Sequence, residues 1–232
     1  MIRVKGALVL AVLAVYAPAS GARQSNERTF SSPEEAAEAL FLVVQARDDE
    51  GLSQLLGRDE ELFAEDDESQ DELHRRRFLE KFREMHRLAC EPEGTVLYIG
   101  AENWPFPIPL TFNDGVWSFD TEAGMNEILF RRIGANESSA IDICHSLARS
   151  DEDAAAFVET PVPVQGYYFR ALPARGMPAS FIAYPAEYGS SGVMTFVVDH
   201  GVMYERDLGP GTANAAKAMT RYRPDSTWRA LQ

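Results

Sequence analysis

Apolar positions change their rhythm several times along this chain. The first group is an unbroken run from Ala7 to Ala17, preceded by Arg3 and Lys5 and followed by Pro18, Ala19, Ser20, Gly21 and Ala22. A positive start, an apolar stretch of 11 residues and a small-residue exit are the three parts of an export signal. The stretch falls short of the roughly 20 apolar residues that a membrane-crossing helix needs. The expectation is a signal peptide over residues 1–22, cleaved after Gly21 or Ala22, and a mature chain with no membrane span, in the periplasm or outside the cell. No cysteine follows the run, which argues against a lipid-anchored form.

Helical spacing comes next. Ser32, Pro33 and Glu35 form a helix start of cap, first-turn proline and capping-box carboxylate, and Ala36, Ala37, Leu40, Phe41, Val43 and Val44 follow on one face. Leu52, Leu55 and Leu56 predict a second, shorter helix that stops at Gly57. Nine of the 14 residues from 59 to 72 are carboxylates, and His74, Arg75, Arg76, Arg77, Lys81, Arg83 and Arg87 come after them. Acid before base suits the helix dipole and i,i+4 pairing, and Phe78, Phe82, Met85 and Ala89 supply the stripe of a helix over residues 70–90. The acidic run lacks the alternating ligands and central glycine of a calcium loop, which favours a solvated face.

From residue 95 the period shortens. Strands are expected over 95–99, 108–112 and 116–119, with Asn113-Asp114-Gly115 as a hairpin turn between the last two. The segment from Trp104 to Pro109 is extended, and its prolines favour a sheet edge. Residues 121–149 return to helical spacing, with Gly134 and Asn136 expected to divide them into two helices. Four more strands follow over 167–172, 180–184, 193–199 and 202–206, with His200-Gly201 as a turn, and a short helix starts at Thr212. The pattern predicts an α+β protein: N-terminal helices with a small antiparallel sheet over residues 23–120, then helix plus antiparallel sheet over 121–232.

Composition narrows the class. Hydrophobic residues make up 45 % and charged residues 25 % of 232, enough for a packed core. The net charge of -14 opposes binding to nucleic acid or anionic lipid, since phosphate contacts need clustered cations. Two cysteines, Cys90 and Cys144, are compatible with one disulfide in an oxidising compartment or with two buried thiols. A zinc set can be drawn from His86, Cys90, Cys144 and His145, but its spacing matches no established ligand pattern, so no metal and no cofactor is expected. Asp199-His200 and Ser190-Ser191 contain parts of a hydrolytic triad without the G-x-S-x-G elbow, and both pairs occupy turn positions. Gly209-Pro-Gly211-Thr212 lacks the residues of a phosphate loop, which favours Thr212 as a helix cap. Trp104, Tyr167, Tyr168, Tyr184 and Tyr188 are candidates for a partner surface, with ordinary sheet packing as the competing reading.

Several words of the sequence carry a family resemblance. They are Asn103-Trp-Pro-Phe-Pro-Ile-Pro-Leu110, Trp117-Ser-Phe-Asp-Thr-Glu-Ala-Gly124, Arg131-Arg-Ile-Gly-Ala-Asn-Glu137, Gly166-Tyr-Tyr-Phe-Arg170, Tyr184-Pro-Ala-Glu-Tyr-Gly189, Gly192-Val-Met-Thr-Phe196 and Asp207-Leu-Gly-Pro210. Together they resemble a bacterial exported family, domain of unknown function 2950, over the last 130 residues of the chain or so. The resemblance implies export and brings no activity, cofactor or catalytic residue. The connector over 150–165 and the turn over 175–178 are shorter than the family's. Residues 30–120 also resemble an NTF2-like cone, and the stretch from Asn136 to the last hairpin is similar to a pilin-like head, both likenesses of fold alone.

These readings favour a non-enzymatic exported interaction or accessory protein with an envelope protein as partner. A hydrolase of the cell envelope is the alternative.

Overall fold

The computed structural model describes residues 28–57, 68–92, 94–149, 160, 162–172, 180–223 and 225–231. The predicted leader, most of the acidic run and the turn over 175–178 lie outside the described residues, as does most of the connector over 150–165. Among the described residues no helix is long and apolar enough to cross a membrane.

Helix α1 (Pro33–Ala46) starts as its sequence dictates: Ser32 Oγ accepts from Glu35 N at 3.1 Å. The returning carboxylate reaches Ser31 instead of Ser32, with Glu35 Oε2 accepting from Ser31 N at 2.9 Å and from Ser31 Oγ at 2.6 Å. Asp48 caps α2 (Asp49–Leu56) through Gly51 N at 2.8 Å. Helix α3 spans Glu68–Glu84 and ends six residues before the predicted stop. What stops it is sheet pairing. Strand β1 (His86–Glu91) pairs antiparallel with all six residues of β2 (Gly94–Ile99), while Gly100 N donates to Lys81 O at 3.1 Å and to Met85 O at 2.9 Å, closing the end of α3.

With β3 (Trp104–Pro105), β4 (Leu110–Asn113) and β5 (Val116–Phe119), these strands form a five-stranded sheet in the order β1-β2-β4-β5, β3 pairing β2. The hairpin between β4 and β5 turns at Asp114 and Gly115, both at positive φ, as predicted. One face of the sheet, Leu97, Ile99, Leu110 and Phe119, buries against Ala36, Leu40, Val43 and Leu55.

Helix α4 (Thr121–Arg149) runs unbroken for 29 residues, about 43 Å. The division expected at Gly134 and Asn136 does not occur: both positions lie inside the helix, and each half has a packing partner of its own. The first half meets the first sheet: Gly124 lies against Ile108, and Arg131 Nη1 donates to Pro105 O at 2.7 Å. The second half packs Ala140, Cys144 and Leu147 on the second sheet. At 3.6 residues per turn, Gly124 and Ala140 point about 160° apart around the axis. The packed side of the helix therefore changes at mid-helix.

The second sheet has five strands, β6 (Tyr167–Leu172), β7 (Ser180–Pro185), β8 (Met194–Asp199), β9 (Val202–Asp207) and β10 (Arg229–Leu231), in sequential antiparallel order. Helix α4 covers one face. Helix α5 (Thr212–Ala218), with Met219, Tyr222 and Trp228, covers the other, so every residue of β7 is buried. The molecule is thus an α+β protein of two antiparallel sheets sharing one long helix.

Candidate functional site

A polar cluster forms where α4 reaches the second sheet. Asn136 Nδ2 donates to Ser191 O at 2.9 Å. One carboxylate oxygen of Glu137, Oε1, accepts from the backbone N–H groups of Val193 and Met194, each at 2.9 Å. Tyr167 points its hydroxyl at Met194 O, 2.9 Å away. Two glycines make room for this. A Cβ on Gly192 would lie 2.1 Å from Tyr167 Oη, and one on Gly166 would lie 2.5 Å from Asn136 Nδ2, with φ at +74° besides. Burial, then the nearby Glu137 charge and its hydrogen bond, push the Tyr167 phenol far above its ordinary range. The hydroxyl is therefore a fixed, neutral donor. The cluster fastens the β7–β8 loop to the helix; its groups spend their hydrogen-bonding capacity on one another and on backbone.

The second concentration of unusual side chains lies where α4 meets β3. Trp104 is 42 % exposed, with the Arg131 guanidinium carbon 5.2 Å from its ring centroid. Arg131 is itself fixed, donating through Nε to Glu127 at 2.7 Å and through Nη1 to Pro105 O at 2.7 Å. Helix spacing puts Glu127 and Arg131 on one face, and their ion pair holds the guanidinium against the indole.

The other candidate partner residues do not join Trp104. Tyr167 and Tyr184 are fully buried on opposite faces of the second sheet, Tyr167 beneath α4 and Tyr184 beneath α5. Both are core residues, because a sheet covered on two sides leaves neither face for a partner. Tyr168 is half-buried with its ring 5.6 Å from Tyr184, and Tyr188 donates to Asp207 Oδ2 at 3.2 Å. Only Trp104 remains as an open aromatic of the original set.

The two cysteines are both free, and no disulfide joins Cys90 to Cys144. Cys90 is exposed in β1 of the first sheet, whereas Cys144 is buried in α4 against the second sheet, where loss of water pushes its thiol up to about 12. The same separation dismantles the drawn zinc set. His86 stacks on Phe82 with ring centroids 4.1 Å apart, and among the described residues no group of three metal-ligating side chains gathers.

Asp199 does contact His200, with Oδ2 3.0 Å from Nδ1. The serine it meets is Ser180, directly across β7 and β8, which donates to Asp199 Oδ1. A hydrolytic triad needs the imidazole between serine and carboxylate. Here the carboxylate stands in the middle. Ser190 and Ser191 lie at the far end of β8, roughly 17 Å of strand away. Thr212 is the first residue of α5 rather than its cap, and its hydroxyl turns back to Gly209 O at 2.5 Å.

Sequence reasoning did not single out Arg131, Asn136, Glu137 or Ser180 as site residues. For the first three a signal existed, since Arg131-Arg-Ile-Gly-Ala-Asn-Glu137 is one of the family-like words. The structure brings that word together with Gly166-Tyr167 and Gly192-Val-Met194. For Ser180 only the register of β7 against β8 shows the partner.

Taken together, these contacts define an α+β protein in which one helix carries two sheets and polar side chains lock the joints. The chain belongs to the family described as protein of unknown function, DUF2950, whose model matches residues 27–176 and 154–231. The match extends well upstream of the words that carry the resemblance. No curated protein and no solved structure matches the chain.

Proposed function

We propose that this chain is an exported, non-enzymatic accessory protein that engages another envelope or secreted protein through a surface centred on Trp104. The observation that carries the reading is the state of that one side chain: an exposed indole, held in place by a guanidinium that is itself tied at two points. An aromatic anchor that is pre-positioned surrenders little conformational freedom on binding, and such residues dominate protein interfaces. The leader pattern of residues 1–22 supports a location outside the cytoplasm. The Asp199–His200 contact lends the hydrolase reading no support, because its serine is on the wrong side of the carboxylate.

A photo-reactive amino acid placed at position 104 in the full chain, in intact cells, tests this. One discrete adduct is expected there and none with the same probe at Leu42, another exposed apolar position. Absence of an adduct at 104, or the same adduct at both positions, defeats the reading. Fractionation of the same cells tests the location, with the chain expected outside the cytoplasmic fraction.

A further inference from the structure

The first sheet ends on one side in a strand that the described residues leave open. Strand β5 is closed off by Phe30, which exchanges backbone hydrogen bonds with Trp117 at 2.8 and 2.9 Å. In the second sheet, Thr160 N donates to Phe169 O at 3.3 Å on the outer side of β6. Strand β1 pairs with β2 alone among the described residues, so the backbone N–H and C=O groups of every second residue along its other edge have no strand partner there. Such an edge is a template for another strand.

The side chains of β1 say which strand fits. Leu88 and Cys90 turn toward the helix side: Leu88 packs on the core and Cys90 Sγ sits 3.9 Å from Thr95 Oγ1. Arg87, Ala89 and Glu91 take the other face by alternation. There one tyrosine holds both charges. The Arg87 guanidinium lies 4.2 Å over the Tyr98 ring centroid, and Tyr98 Oη donates to Glu91 Oε1 at 3.1 Å. A cation and an anion are thus fixed on the same face, with the small Ala89 midway between them.

We propose that a second copy of this chain pairs antiparallel with β1, centred on Ala89. A two-fold axis perpendicular to the sheet keeps the helix sides together, so it sets residues of like parity opposite each other. Centring on Ala89 places Arg87 opposite Glu91 of the second copy, twice, places Ala89 against itself, and places Leu88 opposite Cys90. Both charge pairs are attractive and the helix-side pairs are apolar. Moving the centre to Leu88 would set Arg87 against Ala89 and leave Glu91 without a partner, so the charges select the register. The product is one continuous ten-stranded sheet.

The test is self-association of the full chain by sedimentation, combined with charge exchange. The native chain should dimerise. Arg87→Glu and Glu91→Arg, made singly, place like charges opposite one another and should each raise the dimer dissociation constant about tenfold or more. The double variant Arg87→Glu/Glu91→Arg restores opposite charges and should recover the native constant. Because the single variants also alter the Tyr98 network, a second measurement stands apart from charge: Ala89→Cys in a Cys90→Ser background should oxidise to a covalent dimer, whereas Asn113→Cys on the hairpin in the same background should not. A chain that stays monomeric at all concentrations, a dimer indifferent to the single reversals, or a double variant no better than the singles overturns the proposal.

Discussion

The two sheets have five strands each among the described residues, yet they are stabilised differently. The first packs one face on α1 and α2 and leaves the other to Arg87, Tyr98 and Glu91 at the surface. The second is enclosed between α4 and α5, with large side chains such as Tyr167, Phe169, Phe196 and Tyr184 fully buried. Burial removes water from both faces of a strand, so packing defects and unpaired charges cost more there than on a half-open sheet. The second sheet should therefore dominate stability, and the first should retain the surface available to other molecules.

The largest effect expected is from Phe196→Ala, which empties the centre of the layer between α4 and the second sheet and should cost about 4 kcal/mol in denaturant unfolding. Phe112→Ala at the exposed hairpin of the first sheet removes a ring that is 57 % exposed and should cost less than about 1 kcal/mol. Equal losses at the two positions would break the contrast.

Next comes an ion pair that closes the second sheet. Glu205 is only 6 % exposed, and Arg229 of β10 reaches it through Nε and Nη2 while remaining open to water. Arg229→Ala strands a buried carboxylate and should destabilise by about 2 kcal/mol, below the fully buried case because solvent can reach the vacated position. The exposed pair of Arg47 with Glu72 near the first sheet should yield less than about 1 kcal/mol under the same treatment. A double variant, Arg229→Ala/Glu205→Gln, should recover part of the loss, since the stranded charge is gone.

Alkaline titration should single out the second sheet as well. Burial, followed by the neighbouring Tyr204, Asp199 and Asp225, pushes the Tyr222 phenol from 10.0 up to about 12. The folded state thus favours the neutral form. Its contribution is complete below pH 10, erodes as the unfolded chain ionises, and is lost as pH rises through about 12. Tyr222→Phe should flatten that part of the stability profile. At neutral pH it should change stability by no more than about 1 kcal/mol, because the buried Tyr222 hydroxyl has no hydrogen-bond partner among the described residues. Thiol labelling of the native chain belongs to the same pattern: Cys90 should react and Cys144, buried and pushed up to about 12, should not.

How much of this was readable from the chain depended on how local the determining physics is. The turns at Asp114-Gly115 and His200-Gly201 sit at positive φ, a requirement that their residue types announce. The cap at Ser32 is equally local. By contrast, Phe78, Phe82, Met85 and Ala89 carry a helical stripe on to Cys90, and only the pairing of β1 with β2 tips the balance to strand. In α4, Gly134 and Asn136 carry a local signal for a break, and packing of each half on its own partner keeps the helix whole. Alternation does not sort the tyrosines of β6 and β7, since in a sheet covered on both faces successive residues of a strand are buried, as all six of β7 are. Among site residues, Trp104 is legible as an aromatic in a proline-rich edge, while the Arg131 and Glu127 that fix it come from a helix that starts only at Thr121.

The smallest expected effect turns the contrast around, because it belongs to the first half of the molecule and to acid. The hydrogen bonds from Ser31 Oγ and Ser31 N hold the Glu35 carboxyl below its usual range, despite full exposure to water. A depressed folded pKa means that the ionised form is favoured by folding. The contribution is therefore present above the ordinary carboxylate pKa and is lost as pH falls through the lower, folded value. Glu35→Gln should leave stability near neutral pH slightly reduced and remove one component of the acid limb, with the alkaline limb unchanged. Because the site is exposed, added salt should shrink the difference between the two chains. If the acid limb of Glu35→Gln superimposes on that of the native chain at low salt, the capping carboxylate does not distinguish the start of α1, and the acid sensitivity of the first half must come from other carboxylates such as Glu102, which Lys81 holds low by a hydrogen bond.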